Sequence, residues 1–185
     1  LFTRFIEAYH HSTLRNKAYF ELGSYYFRKN KTIEALEWYE KVDTKELTND
    51  ELVEYKFNFA YVYFKRKKFD EAKPLFKAIK DAKHQYSDPA KYYYGFISFY
   101  EENYKEAESN FLDLKDSKLY KDAIPYYLTQ IYFLRKEYNK VISYASILLS
   151  NPKTENIKEI AHIVGQAHFE LSNYEAAVPL IEAYI

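Results

Sequence analysis

Small residues recur along this chain at a nearly constant interval. Five of them, separated by 37, 35, 34 and 36 residues, divide the sequence into segments of similar length. A self-similar period of about 20 to 50 residues is typical of proteins built from stacked supersecondary units, each of which buries its apolar face against its neighbours. The period therefore restricts the fold more than any other property of the sequence. We call these five residues the markers: Gly23, Ala60, Gly95, Thr129 and Gly165.

The composition favours helices as the elements of each repeat. The chain has only 3 glycines and 5 prolines, although 20% of its residues are aromatic. So little Gly and Pro leaves few tight turns, which favours long helices over a β fold with many turns. Pro89 and Pro125 fall in predicted first helical turns, and Pro74 and Pro179 share one position early in predicted second helices. The sequence thus predicts no proline at the centre of a helix.

Two segments carry a recognisable pattern. They read "YFELGSYYFRKNKTIEALEWY" (19–39) and "KYYYGFISFYEENYKEAESNF" (91–111). Both resemble the tetratricopeptide repeat, whose pattern of about 34 residues is large–x2–Leu–Gly–x2–Tyr–x8–Ala–x3–Phe. The resemblance covers roughly residues 16 to 185. It implies an all-α, right-handed superhelical solenoid of antiparallel helix pairs, with about five repeats and one additional N-terminal helix.

The repeat boundaries follow from the markers. We predict one continuous array whose repeats span 16–52, 53–87, 88–121, 122–157 and 158–185, the last of them truncated. Residues 1–15 are predicted to form the second helix of a truncated preceding repeat. The chain starts at Leu1, contains no Met and shows no leader of charged and then apolar residues. We therefore expect a longer natural chain, and the compartment stays open between the cytoplasm and export by a bacterium.

All three glycines occupy the marker position. Because a glycine inside a helix costs about 1 kcal/mol relative to alanine, a close helix crossing is needed to offset that cost. We expect the residue twelve places after each marker to face it across the helix pair. The predicted crossing residues are Gly23, Ala35, Ala60, Ala72, Gly95, Ala107, Gly165 and Ala177.

The sequence lacks the signatures of catalysis and of cofactor binding. It contains no phosphate-binding glycine loop, no nucleophile elbow and no His-Glu-x-x-His motif. It has no cysteine, and the six-residue spacing of His162 and His168 separates them around a helix. We therefore predict no enzyme activity, no cofactor and no metal. The net charge of zero argues against a nucleic-acid partner, and no apolar run is long enough to span a membrane.

The resemblance also implies a groove lined by the first helix of each repeat. Groove positions lie three residues before and one residue after each marker. Phe57, Tyr61, Tyr92 and Phe96 would form an aromatic patch spanning the second and third repeats, of the kind that marks an interaction surface. The complete set of predicted groove residues is Phe20, Ser24, Phe57, Tyr61, Tyr92, Phe96, Tyr126 and Gln130.

These features predict a non-enzymatic scaffold that binds a protein or peptide segment in the groove. Aromatic rings anchor partners because they give a large contact area at a low entropic cost. Two alternatives stay open. Tyrosine and phenylalanine platforms also stack on sugars, which would make the chain a glycan-binding module. The array could also be the sensor or interaction arm of a larger regulatory protein.

Overall fold

The computed structural model describes residue 6 and residues 14–151 and 153–184. Within these residues the chain forms ten α-helices and one short 3₁₀ helix (Thr44–Glu46), with no β-strand. The predicted all-α fold is confirmed. The helices are α1 (Arg15–Arg28), α2 (Thr32–Tyr39), α3 (Asn49–Lys65), α4 (Phe69–Lys77), α5 (Ser87–Tyr100), α6 (Tyr104–Leu112), α7 (Ile124–Leu134), α8 (Tyr138–Leu149), α9 (Ile157–Glu170) and α10 (Tyr174–Glu182).

The helices group into two compact units, residues 1–94 and residues 95–185. In the first unit α1 packs on α2 and α3 on α4, and α3 also packs on both helices of the preceding pair. In the second unit α7 packs on α8 and α9 on α10, and α9 packs on both helices of the pair before it. Each unit thus repeats the same stacking of helix pairs. The repeat boundaries and the single continuous array stay predictions.

Most of the predicted N-terminal helix, residues 1–15, lies outside the described residues. Ile6 is an exception, since its side chain is buried. It packs in a cluster with Ala18 and Leu22, both of α1, and with the partly buried Trp38 of α2. The first repeat therefore has an apolar neighbour on its N-terminal side.

Every helix pair turns through the same backbone motif. The residue seven places after each marker has a positive φ, between 56° and 61° across the five repeats. In the first repeat the N–H of this residue, Asn30, donates to the carbonyl of Phe27, and the next N–H, of Lys31, donates to Tyr26, both at 2.9 Å. This pair of bonds is a Schellman motif, which satisfies the last carbonyls of the first helix. The five left-handed residues are Asn30, Lys67, Glu102, Lys136 and Ser172.

The glycine markers make room for a large side chain that lies sixteen places later. A Cβ added to Gly23 would lie 2.6 Å from the Tyr39 ring, and one added to Gly95 would lie 3.1 Å from the Phe111 ring. At Gly165 the nearest atom would be Cγ1 of Ile181, at 2.8 Å. Each neighbour is the residue sixteen places after the marker. The alanines twelve places after the markers are also buried, and the carbonyl of Ala177 would lie 3.2 Å from a Cβ added to Gly165.

The other two repeats have a larger marker. Thr129 takes the place of glycine in the fourth repeat, and the residue sixteen places later is Ala145. Both are fully buried, so the volume added on one helix is removed from the other. Ala60 and Phe76, also fully buried, form the pair of the second repeat. The crossing therefore does not require a glycine, because alanine with phenylalanine and threonine with alanine also occupy it.

Two prolines lie deeper in their helices than the sequence predicts. Pro74 is inside α4 and Pro179 is inside α10, each as the sixth of nine residues. Each proline removes the N–H that would bond the carbonyl four residues earlier, which belongs to Asp70 or to Glu175. Both prolines and both of these acidic residues are exposed. Water can therefore satisfy the freed carbonyls, and the helices continue.

A glycine at the left-handed turn positions should stabilise the chain. The left-handed conformation is unfavourable for residues with a Cβ, so Glu102→Gly and Lys136→Gly should each raise the unfolding free energy by about 0.5 to 1 kcal/mol. Urea denaturation followed by circular dichroism measures the change. Lys105→Gly, at an exposed position within α6, is the control and should lower stability by about 1 kcal/mol. A loss of stability at both turns would contradict the role assigned to the motif.

Alanine at Gly23 should destabilise the first unit. The added Cβ would meet the ring of Tyr39, which is fully buried and has no space to move. Overpacking costs about 1 to 3 kcal/mol, and the gain in helix propensity returns about 1 kcal/mol of it. The Cβ of Gly95→Ala would meet its neighbours at 3.1 and 3.3 Å. The unfolding free energy of this variant should therefore fall by at least about 1 kcal/mol less than that of Gly23→Ala. Equal urea midpoints for the two variants would disprove the difference between the crossings.

Candidate functional site

Tyr93, on α5, lies at the centre of an aromatic cluster in the first unit. Its ring centroid is 4.8 Å from Phe64, 5.2 Å from Tyr61, 5.5 Å from Phe76 and 6.4 Å from Phe57. Phe76 is fully buried on α4, whereas the other four rings are partly exposed. We call these five residues the Tyr93 cluster. It joins the first helix of the third repeat to both helices of the second.

The cluster brings three predicted groove residues together. Phe57 and Tyr61 lie one turn apart on α3 with nearly parallel rings, 6.3 Å between centroids. The Tyr92 ring lies 5.3 Å from Tyr93 and therefore borders the cluster. All three side chains are partly exposed. They form a continuous aromatic surface within the first unit.

Two other predicted groove residues are buried instead. Phe20 is 4% exposed and packs in a core with Ala35, Tyr39 and Tyr55. The hydroxyl of Ser24 lies 3.2 Å from the Tyr39 hydroxyl, and the side chain is 1% exposed. Because α3 covers this part of α1, neither side chain is accessible to a partner. The expectation that these two residues line the groove is corrected.

The remaining predicted residues belong to the second unit and have their own neighbours there. The Phe96 ring lies 6.1 Å from Tyr127. The side-chain amide of Gln130 donates a hydrogen bond of 2.9 Å to the Tyr126 hydroxyl, one turn away on α7. Burial, with a smaller contribution from Glu159, raises the pKa of Tyr126. Phe96, Tyr126 and Gln130 are all partly exposed.

The sequence analysis missed the tyrosine two places before a marker. Tyr127 occupies this position on α7, as Tyr93 does on α5, and its ring stacks on Phe111 at 5.0 Å and lies 6.0 Å from Phe99. Tyr93 makes the equivalent contacts with Phe76 and Phe64. The sequence signal that could have identified this residue is the presence of a tyrosine at the same position in two repeats. Their role is to join neighbouring repeats.

The interface between the first and second repeats uses hydrogen bonds at the repeat position that Tyr93 and Tyr127 occupy elsewhere. Asn58 stands two places before its marker and is buried. It bonds the hydroxyl of Tyr39, and its amide donates to Glu54 at 3.5 Å. Tyr39 also accepts, through its backbone carbonyl, a bond of 3.2 Å from the Tyr55 hydroxyl. Burial is the main reason that the pKa of Tyr39 is raised, so this hydroxyl remains protonated and can take part in the network.

An ion pair links α1 and α3, the first helices of the first two repeats. Lys17 of α1 contacts Glu51 of α3, and Glu51 also accepts hydrogen bonds from the backbone and hydroxyl of Thr48 in a capping box. The Lys17 contact, followed by the bonds from Thr48, lowers the pKa of Glu51 to about 2. Any stabilisation from this pair is present above the carboxyl's ordinary pKa and is lost as the pH falls towards 2. Because Lys17 is exposed and Glu51 remains partly exposed, water screens the pair and the energetic contribution is small.

Two further observations concern other kinds of site. In the part of the chain that the structure describes, no three His, Cys, Asp or Glu side chains are placed to hold a metal ion. Over the same residues, no helix combines the length and the apolar character needed to cross a membrane.

Comparison with known proteins identifies the fold to which this arrangement of helices belongs. Residues 17–44 match the family model of the tetratricopeptide repeat. The chain has the tetratricopeptide-repeat fold. A crystal structure of MamA AMB-1 has a TM-score of 0.73 at 14% identity, with 94% of this chain and 91% of that chain covered. YrrB, described as a tetratricopeptide-repeat protein with an unusual peptide-binding site, has a TM-score of 0.71 at 15% identity, with coverages of 100% and 90%.

A third structure agrees with this fold. A putative kinesin light chain from Podospora anserina, with nearly identical repeats of this kind, has a TM-score of 0.65 at 14% identity. The alignment covers 94% of this chain and 95% of that chain. No curated protein matches the sequence. The resemblance to tetratricopeptide repeats inferred from the markers is confirmed, and identities this low establish the fold alone.

Truncation of Tyr93 should destabilise the first unit far more than truncation of Tyr92. Tyr93→Ala removes contacts with four rings, so the unfolding free energy should fall by about 3 kcal/mol. Tyr92→Ala, at the border of the cluster, should cost about 1 kcal/mol or less. Trp38 is the only tryptophan of the chain and lies in this unit, so its fluorescence in urea reports the unfolding. Similar midpoints for both variants would remove the distinction between the central tyrosine of the cluster and the tyrosine at its border.

Proposed function

We propose that this chain is a non-enzymatic interaction scaffold that binds an extended segment of a partner protein through Phe57, Tyr61 and Tyr92. One observation carries the proposal: three partly exposed rings form one continuous surface around Tyr93. A contiguous apolar surface of this kind marks an interaction site more often than a scattered exposed ring does.

The rings are held in place before a partner arrives. Phe57 is in contact with Tyr86 at 4.8 Å and with Phe76 at 5.9 Å, and Tyr61 lies 5.7 Å from Phe27. Side chains fixed by such neighbours lose little conformational entropy on binding. Aromatic residues in this condition are the usual anchors of protein interfaces. Preorganisation thus supports a binding role for this surface.

A similar fold with a peptide-binding site also supports the proposal. YrrB is described as having an unusual peptide-binding site, and the alignment covers 100% of this chain. Phe96, Tyr126 and Gln130 of the second unit remain predicted groove residues of that unit. The net charge of zero favours a protein partner over a nucleic acid.

The glycan alternative receives less support from the geometry. Sugars stack on the open faces of aromatic rings, but the Phe57 face is covered by Tyr86 at 28° between ring planes. A face of the Tyr93 ring is covered in the same way by Phe76, with 23° between the two ring planes. Each of these two rings therefore has one face that is not open to a sugar. The idea of a sensor or interaction arm of a larger regulatory protein remains a prediction.

Peptides selected from a displayed random library on the immobilised chain provide the test. The Tyr61→Ala/Tyr92→Ala variant should bind a selected peptide at least several hundred-fold more weakly, because each anchor contributes about 2 kcal/mol or more. Fluorescence anisotropy of the labelled peptide measures the affinity. Tyr25→Ala is the matched control, since Tyr25 is 47% exposed on α1 and belongs to neither the cluster nor the predicted groove.

Folding and binding are separated within the same experiment. Tyr61 contributes to the cluster, so each variant is first compared with wild type by thermal melting. If the double variant is destabilised, Tyr92→Ala alone should still weaken binding at least ten-fold. If a folded variant binds every selected peptide with unchanged affinity, the proposal that peptides bind to this aromatic surface is wrong. Selection of no peptide, together with binding on a glycan array that Tyr92→Ala abolishes, would favour the glycan alternative.

A further inference from the structure

A carboxylate borders the aromatic surface of the first unit. Glu54 stands on α3 three residues before Phe57 and seven before Tyr61, so the three side chains lie along one face of this helix. Glu54 is partly buried. The ring of Tyr86 stacks on Phe57 at 4.8 Å, and burial, with a smaller contribution from the Glu54 carboxylate, raises the pKa of Tyr86. The negative charge of Glu54 therefore acts at the aromatic surface.

In the part of the chain that the structure describes, no lysine or arginine forms an ion pair with Glu54. Lys17, on the neighbouring α1, contacts Glu51 instead. Lys56 follows Glu54 by two residues and therefore projects from another side of α3. Lys65, the last residue of α3, is about 16 Å away along the helix axis. The carboxylate thus has no counter-ion among these neighbours.

The contacts of Glu54 within the fold do not require its charge. Among the described residues its hydrogen bond comes from the side-chain amide of Asn58, at 3.5 Å. The oxygen of an uncharged amide would accept this bond equally well. A partly buried charge without a partner is unfavourable, and folding has already removed part of its water. A cation supplied by a ligand would therefore gain the attraction of Glu54 at little further cost to this carboxylate.

The second unit has the same feature at the same repeat position. Glu159 stands six places before the fifth marker, as Glu54 does before the second. It is partly buried, and after burial it is the largest cause of the raised pKa of Tyr126, a predicted groove residue. No lysine or arginine of the described residues forms an ion pair with Glu159. Within each unit, therefore, a carboxylate without a counter-ion accompanies partly exposed rings.

We propose that the partner segment carries an arginine or lysine whose side chain pairs with Glu54 while neighbouring residues of the segment contact Phe57, Tyr61 and Tyr92. Aromatic rings attract cations through their quadrupole, so the rings beside Glu54 add to the attraction. A segment with an acidic residue at this point is rejected by repulsion between like charges. This inference rests on the function proposed for the aromatic surface and adds the charge of the segment that the surface selects.

Peptides selected from the displayed random library test the charge on the wild-type chain. The relevant peptides are those that Tyr92→Ala binds more weakly. They should share an arginine or lysine, and replacing that residue by uncharged citrulline or norleucine should weaken binding at least ten-fold, as measured by fluorescence anisotropy. If the uncharged peptides bind as tightly as the basic ones, this proposal is wrong and the peptide-binding surface stands.

A variant of the chain assigns the cation to Glu54. Glu54→Gln removes the charge and keeps an acceptor for Asn58, so it should weaken the basic peptides about ten-fold and leave the uncharged peptides unaffected. Glu37→Gln is the matched control, because it makes the same chemical change at an exposed position on α2. Thermal melting establishes that both variants are folded. Equal affinities of the two folded variants for the basic peptides would overturn the assignment to Glu54.

Ionic strength gives an independent measurement, since added salt screens the attraction between the two charges. Raising it should weaken the basic peptides more on the wild type than on Glu54→Gln, and equal salt dependence would contradict the pairing. Failure of the proposed function gives a different result. If no peptide is selected, or if Tyr92→Ala binds every selected peptide as tightly as wild type, the aromatic surface does not bind peptides and both proposals are wrong.

Discussion

The contact between each marker and the residue sixteen places later determines how closely the two helices of a repeat approach. Gly23 with Tyr39 and Gly95 with Phe111 combine the smallest residue with a large ring, whereas Thr129 with Ala145 divides the volume differently. Interiors are packed as densely as organic crystals, so the sizes of the two residues restrict how closely the helices can approach. Everything that the first helices present, including the aromatic surface, is positioned by this crossing.

The large residue of the crossing has a second role, because its other side meets the next repeat. Phe76 and Phe111 each receive a tyrosine from the following helix, at 5.5 and 5.0 Å. Tyr39 carries a hydroxyl, and there Asn58 and Ser24 supply hydrogen bonds instead. A buried hydroxyl without a partner would cost more than the ring gains, so the chemistry of the crossing residue decides the chemistry of its neighbour. Packing within a repeat and packing between repeats are therefore coupled through one side chain.

The sequence was sufficient to predict the helix pairs and the crowded glycine position, because both depend on a period that any self-comparison reveals. It was insufficient for the left-handed turns, since Lys67, Glu102 and Lys136 give no glycine signal where φ is positive. Phe20 and Ser24 were expected in the groove because a repeat position specifies a direction, not whether the next helix covers it. Tyr93 was missed for a related reason: its importance comes from residues of the preceding repeat, 17 to 36 places earlier in the sequence.

Tyr61 illustrates why the aromatic surface can be both structural and accessible. Its ring touches Phe27, Phe57, Phe64 and Tyr93, yet it stays partly exposed. The edge of an aromatic ring carries the positive part of its quadrupole. Such edges favour carbonyl oxygens and other electron-rich groups, which an extended peptide exposes along its whole length. The packing that joins the repeats thus also selects the kind of segment that the proposed surface would bind.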